Sequence, residues 1–374
     1  MDQIARALGA VGDPHERLLV AVIAAVGLLA LLAVAFAVLV VIIRFRHARH
    51  RRRRETLADR LHDRLLDVIG GSEPPESLHA LVRHGEETEL LALLLRFARR
   101  LRGREIQVLA RIGAPYLHEA LRWRNSRSPE ERAQAVQALA AFGMTEHAPV
   151  VLAALDDPSP YVAMTAAQAL ARAEHAQHAD AVMRRLWRFV NWSGDYLGAM
   201  LARIGPAAAP PARRILADDT ASDHARAVAA DVLRRLNDLP AADVAHAVLA
   251  FADSRPSESP AMRGAALRLI AQVGHGEHLD AVRSHTDSSD GLVRAEAIKA
   301  LAAIGGDREV ATIAQALRDP SPWVAHEAAH GLLRLGRSEL LERVSREDSP
   351  TAIVARQVLA EAASRRAPLT EGRP

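Results

Sequence analysis

Three segments carry the reading: SPYVAMTAAQALARAE (159–174), DGLVRAEAIKALAAIG (290–305) and SPWVAHEAAHGLLRLG (321–336). SPEERAQAVQALAAFG (128–143) and SPAMRGAALRLIAQVG (259–274) align with them. The first places Val162, Ala166, Ala169, Leu170 and Ala173 at helical spacing. The other two repeat this with Val293, Ala297, Ala300, Leu301 and Ile304, and with Val324, Ala328, Gly331, Leu332 and Leu335. A one-sided apolar stripe of this kind predicts an amphipathic helix. Ser-Pro at the start predicts an N-cap followed by proline in the first turn. The closing glycine predicts a left-handed C-cap. A shorter second helix is expected next, as in ADAVMRRLW (179–187) and EVATIAQAL (309–317), with Asp-Pro or Asp-Asp closing the unit.

Working outward, the segments end at Gly113, Gly143, Glu174, Gly205, Asn237, Gly274, Gly305 and Gly336, separated by 30, 31, 31, 32, 37, 31 and 31 residues. A period near 31 signals stacked supersecondary units, because one helix pair cannot bury its apolar face alone. The D-P-S-P-x-V motif at 157–162 and 319–324, followed by A-x-x-A-L or its near equivalent, resembles HEAT repeats of the short kind related to the PBS-lyase HEAT-like class. The resemblance covers roughly 78–364, about eight or nine units. It implies an all-α fold, an α-solenoid of helical hairpins whose second helices line a concave docking surface. Such repeats occur in lyases, scaffolds, adaptors and DNA-repair proteins, so the resemblance implies an architecture and no particular activity.

Residues 18–43 carry no polar side chain: seven Leu, seven Val, three Ile, one Phe, seven Ala and one Gly. A helix of about 20 apolar residues crosses a bilayer core. The eighteen large side chains favour insertion by roughly 5–11 kcal/mol. Before the run stand Arg6 and Arg17 against Asp2, Asp13 and Glu16. After it stand Arg44, Arg46, Arg49, Arg51, Arg52, Arg53 and Arg54. The arginine excess predicts a cytoplasmic C-terminal side, with those seven residues as topology signal and lipid-headgroup contact. The expected layout is a short outer tail (1–17), a single membrane span (18–43), a basic segment with adaptor helix and linker (44–77), the repeats (78–364) and a frayed tail (365–374). In 55–70, Leu57, Leu61, Leu65 and Ile69 form a stripe expected to cap the array, with pairing to a second copy as the alternative. Ala21-x-x-x-Ala25 and Ala33-x-x-x-Ala37 permit helix packing and leave the oligomeric state open.

The chain of 374 residues has a net charge of +3 and no cysteine. Zero cysteine excludes disulfides, thiolate zinc sites and cysteine nucleophiles. The single lysine, Lys299, follows Ile298, which excludes a Gly-Lys-Ser/Thr phosphate loop. Residues 44–54 carry +7 and 55–374 carry −3, so the bulk of the chain lacks the positive surface that a nucleic-acid partner needs. Arginine in place of lysine, with abundant alanine, points to GC-rich coding and a bacterial inner membrane.

Trp187, Phe189, Trp192 and Tyr196 fall within ten residues, in a chain of thirteen aromatics. They lie where the Ser-Pro start is lost, and are the candidate partner contacts. Core packing at a rebuilt junction is the competing account. Tyr161 and Trp323 share a column, which predicts inter-repeat packing. His326-Glu327-Ala328-Ala329-His330 matches H-E-x-x-H, in which two histidines four apart bind zinc. The repeat offers a plainer account. His330 shares a solvent-facing column with Gln137, Gln168, Arg268 and Lys299, and no downstream motif supplies a third ligand. His326 and His330 are thus weak metal candidates and no cofactor is expected. His175-x-x-His178 and His275-x-x-His278 read as structural turns, and the acids Asp156–Asp157 and Asp218–Asp219 as helix caps. No catalytic pair is evident. The function that follows is a membrane-tethered scaffold for a protein partner. Resemblance to membrane-tethered HEAT proteins implies a membrane enzyme complex, such as an envelope-polysaccharide glycosyltransferase system. A groove enzyme, lyase-like or metal-dependent, and a nucleic-acid-binding solenoid are the alternatives.

Overall fold

The computed structural model describes the backbone of residues 14–101, 103–252 and 259–366, and the side chains of 19, 21–38, 57–101, 103–250 and 259–365. The expected tails before Pro14 and after Arg366 lie outside the described residues, as do the side chains of Arg44, Arg46, Arg49 and Arg51 to Arg54. All regular elements among the described residues are helical. The chain divides into two compact units, Met1–Ala120 and Leu121–Pro374.

In the first unit, α1 (Pro14–Gly70) runs for 57 residues. The apolar run, the basic stretch and the adaptor are therefore one unbroken helix. The window Ala21–Val38 has a mean hydropathy of 2.9 and none of it is buried. Among the described residues it is the one stretch long and apolar enough to cross a membrane. The last turns of α1 bury Leu57, Leu61, Leu65 and Val68. They pack on α2 (Glu76–His79), α3 (Glu87–Ala98) and α4 (Arg104–Gly113). Val68 takes the inward place expected of Ile69, three residues after Leu65 instead of four. The stripe is thus covered by its own chain and is not free for a second copy. The expected linker is a tight turn: Gly71 sits at φ +84°, Arg64 pairs with Glu73, and the Ser77 hydroxyl donates to the Pro74 carbonyl at 2.9 Å.

Helix α5 (Leu117–Trp123) runs across the division between the units. The second unit then holds seven helical pairs among the described residues, the first helix the longer in all but the third. These are α6 (Pro129–Phe142) with α7 (Met144–Ala153), α8 (Pro160–Leu170) with α9 (Ala179–Met183), and α10 (Gly194–Ala202) with α11 (Ala209–Ala217). Next come α12 (Asp223–Leu236) with α13 (Ala241–Ala252), α14 (Pro260–Val273) with α15 (Leu279–Arg283), and α16 (Gly291–Ile304) with α17 (Val310–Ala316). The last are α18 (Pro322–Arg334) with α19 (Ser338–Ser345), followed by α20 (Pro350–Arg366). From α10 to α20 each long helix packs on the next long helix, as α6 does on α8. The apolar columns form the core: Val162, Val293, Val324, Leu170, Leu301 and Leu332 are all buried. This is a helical-hairpin solenoid, as the periodicity requires.

The helix starts are as expected in part. Ser128, Ser222, Ser259 and Asp290 accept N–H bonds from the first turn. Ser159 and Ser321 have the extended N-cap backbone but no side-chain cap bond. Their N–H groups go instead to Asp157 (2.8 Å) and Asp319 (2.7 Å). Asp157 is thus not a helix cap, as the sequence suggested, and both acids are joints between repeats. Arg132 grips Asp157 through Nε and Nη2, both at 2.8 Å, and Arg294 grips Asp319 in the same way at the same distances. The remaining Nη1 donates to carbonyls of the preceding turn, Ser126 and Ser288, at 2.9 and 2.8 Å. Asp156 is held by Arg185, and Asp218 closes a local turn through the Thr220 N–H and hydroxyl.

The glycine C-caps need correction. Gly205, Asn237 and Gly336 are left-handed, at φ +83°, +51° and +71°. Gly143, Gly274 and Gly305 are not, at φ −151°, −78° and −86°. At Gly305 the requirement is space: a Cβ would stand 2.5 Å from the Leu301 carbonyl oxygen and 2.5 Å from Cγ of Glu309.

Candidate functional sites

The aromatic junction lies between α8 and α10. The 3-10 turn Leu186–Phe189 packs against both α8 and α12. It splits the four aromatic candidates. Phe189 is fully buried and cannot touch a partner, which corrects its assignment as a contact residue: it is the plug of the rebuilt junction. Trp187 is 60% exposed and Tyr196 41% exposed, with Val190 open between them in sequence. Trp192 is half-buried and stacks on Tyr196 at 5.8 Å. The exposed rings are held in place. Arg188 lies over the Trp187 ring at 5.5 Å and donates to the Asp157 carbonyl at 2.5 Å. Gln168 donates to the Tyr196 hydroxyl at 2.6 Å.

Tyr161 and Trp323 do not pack between repeats. They are exposed, Trp323 by 75%, as is Leu292 at the same place in α16. All three are the second residue of a long helix, where the side chain projects out of the first turn while the next residue (Val162, Val293, Val324) turns into the core.

The histidine motif lies on α18, with His326 and His330 half-buried and their ring centroids 4.6 Å apart. The packing of α20 on α18 adds what the sequence reading lacked, a third donor. Glu361 comes up to them, and the donor atoms of His326, His330 and Glu361 all lie within 4.8 Å of one another. Burial, and then the neighbouring His326, push the His330 imidazole below its ordinary value, which favours the neutral ring. Glu361 is held below the ordinary carboxylate range by its hydrogen bond from Gln357 and by the nearby histidines, so it is ionised at neutral pH. Glu361 lies 31 residues after His330, outside any local motif, and counted from the Ser-Pro start its place on α20 is three residues past that of His330 on α18.

A second group, His275, Glu277 and His278, also brings three donors together. Both His278 nitrogens already have partners, Nδ1 with the His275 backbone N–H at 3.1 Å and Nε2 with Asp243 at 3.2 Å. This is the structural turn that the sequence suggested.

A surface groove of about 500 Å³ between α10, α12 and α14 is lined by acids and arginines. Asp231 is bound by Arg234 and Arg235, and Arg268 by Glu296. The Asp231 pairs close within α12, and the Arg268–Glu296 pair joins α14 to α16.

The family model of HEAT repeats matches residues 114–189 and 247–333, so the chain contains HEAT repeats on both sides of the aromatic junction's second half. No curated protein matches the chain. Among solved structures, the karyopherin Kap121p bound to the extreme C-terminus of the protein phosphatase Cdc14p is similar over 74% of this chain and 38% of that one, at 14% identity and a TM-score of 0.43. Kap121p bound to RanGTP is similar over 76% of this chain and 42% of that one, at 13% identity and a TM-score of 0.41. The chain spans less than half the length of these structures.

Proposed function

We propose that this chain is a membrane-tethered scaffold with no chemistry of its own, whose HEAT repeats hold a protein partner beside the bilayer. The wholly exposed apolar window of α1 supports the tether. The seven arginines after it support a cytoplasmic repeat domain and a single-pass arrangement in a bacterial cell membrane. A membrane enzyme complex, such as an envelope-polysaccharide glycosyltransferase system, is the partner class that the resemblance implies.

The observation that carries the docking part is the split at the junction. Phe189 fills the core, while Trp187, Val190 and Tyr196 stay in solvent on a fixed support. Rigid aromatic side chains with little rotamer freedom to lose are good anchors for a protein interface. The test is photocrosslinking in native membranes from position 190, against position 292 as a control, with and without the Trp187→Ala, Tyr196→Ala double substitution. A specific protein crosslinked from 190 and lost in the folded double variant supports the reading. Equal crosslinking from both positions, or full retention in the double variant, refutes it. A reporter fused after Pro374 tests orientation: activity confined to the outer side of the membrane overturns the topology.

A further inference from the structure

We propose that His326, His330 and Glu361 form a binding site for a divalent transition-metal ion of zinc type, which fastens α20 to α18. The proposal rests on geometry and is independent of the scaffold reading. His326 and His330 are one turn apart on the same face of α18. Nε2 of His330 stands 3.6 Å from Oε2 of Glu361. That is too long for a hydrogen bond. It is close to the roughly 3.3–3.4 Å that separates two donors on a tetrahedral ion with bonds of about 2.0–2.1 Å.

The carboxylate is already turned for the task. Its other oxygen, Oε1, accepts from Nε2 of Gln357 at 3.0 Å, one turn back on α20, leaving Oε2 toward the histidines. Metal-binding carboxylates are commonly fixed in this way by a hydrogen bond to the oxygen that does not ligate. Two imidazoles and one carboxylate suit zinc chemistry, and the half-exposed setting leaves a fourth position for water. Arg365, one turn beyond Glu361, is exposed, so solvent screens its charge.

The place in the fold gives the ion a role. Helix α20 is the last helix among the described residues and packs on α18 and α19. Stability varies from segment to segment in a stack of repeats, and each helix is held by its neighbours. An ion shared by α18 and α20 adds a fastening between those two helices.

The test uses the untagged full chain in detergent micelles, titrated with zinc chloride by calorimetry and followed by hydrogen exchange. One ion per chain is expected, with slower amide exchange across 350–366. His330→Ala and Glu361→Gln each weaken binding by about tenfold or more and abolish the slowing, while Gln357→Ala weakens binding by about tenfold. His275→Ala leaves binding unchanged. Glu361→Gln alters no volume, so it decides the matter if His330→Ala fails to fold. No zinc binding by the folded chain, binding that Glu361→Gln leaves intact, or binding lost with His275 each overturns the proposal.

Discussion

Replacing Asp319 by alanine removes one half of the joint between α16 and the start of α18. The carboxylate accepts two charge-assisted bonds from Arg294 at 2.8 Å and one from the Ser321 N–H at 2.7 Å. The side chains are only 15% and 12% exposed, so solvent replaces these bonds poorly. An exposed pair would be worth up to about 1 kcal/mol, and breaking a fully buried one costs about 3–5 kcal/mol. This pair falls between, so Asp319→Ala should cost about 2–3 kcal/mol. A double-mutant cycle with Arg294→Ala should give a coupling of about 1–2 kcal/mol, against less than about 0.5 kcal/mol for the exposed pair Arg337–Asp307. Solenoids open segment by segment, so the assay is native-state hydrogen exchange of amides in 291–304 and 322–334, not a single melting curve. The same cycle at Arg132 and Asp157, where distances and exposures are the same, should give the same answer. Coupling no larger than that of the exposed control at both joints would refute the reasoning.

The Arg294→Lys change should cost nearly as much as alanine, because one ammonium cannot serve a carboxylate and two turn carbonyls at once; the same exchange assay reads it. Acid should weaken the joint. Its hydrogen bond from Arg294 holds the Asp319 carboxyl below its ordinary value, so the stabilisation is full above about pH 4 and is lost as pH falls through the folded value. The stability gap between wild type and Asp319→Asn should therefore narrow below about pH 4 in an acid titration followed by exchange. Gly305→Ala should cost about 1–3 kcal/mol by native-state exchange of amides in 291–304, since the new methyl meets the Leu301 carbonyl. At the junction, Phe189→Ala should cost about 3–5 kcal/mol, whereas Trp187→Ala should change stability by less than about 1 kcal/mol and act on partner capture alone.

What was legible in the sequence is what one unit settles by itself. The start of α16 at Asp290 and its end before Gly305 follow from a cap and an apolar stripe, and both are where the pattern puts them. What was not legible depends on the neighbouring unit. The reason for Gly305 is a crowded carbonyl, not a left-handed turn, and crowding is a matter of packing. Tyr161 and Trp323 share a column, which says that they share a role but not which way the column faces. The Arg–Asp joints span 25 residues, and Glu361 meets His330 across 31, distances at which a local motif search is blind. The repeat column does not find the pair either: counted from Ser321 and Ser349, the residue in His330's place on α20 is Val358.

That same register explains why the aromatic side chains are exposed where they are. Ser128 and Asp290 cap their helices, and four residues on stand Arg132 and Arg294, each gripping an acid 25 residues later. In α8 the cap position is Ser159, but four residues on stands Ala163, and 25 residues after that stands Arg188 where an acid would be. Both halves of the joint are gone. Arg188 instead reaches back one period to the Asp157 carbonyl and carries its neighbour Trp187 over its guanidinium. Here the chain forms the 3-10 turn Leu186–Phe189, which seals the stack with Phe189 and leaves Trp187 outside. The exposed tryptophan thus stands at the one cap register in which an arginine occupies the acid's place, and that arginine is what supports its ring.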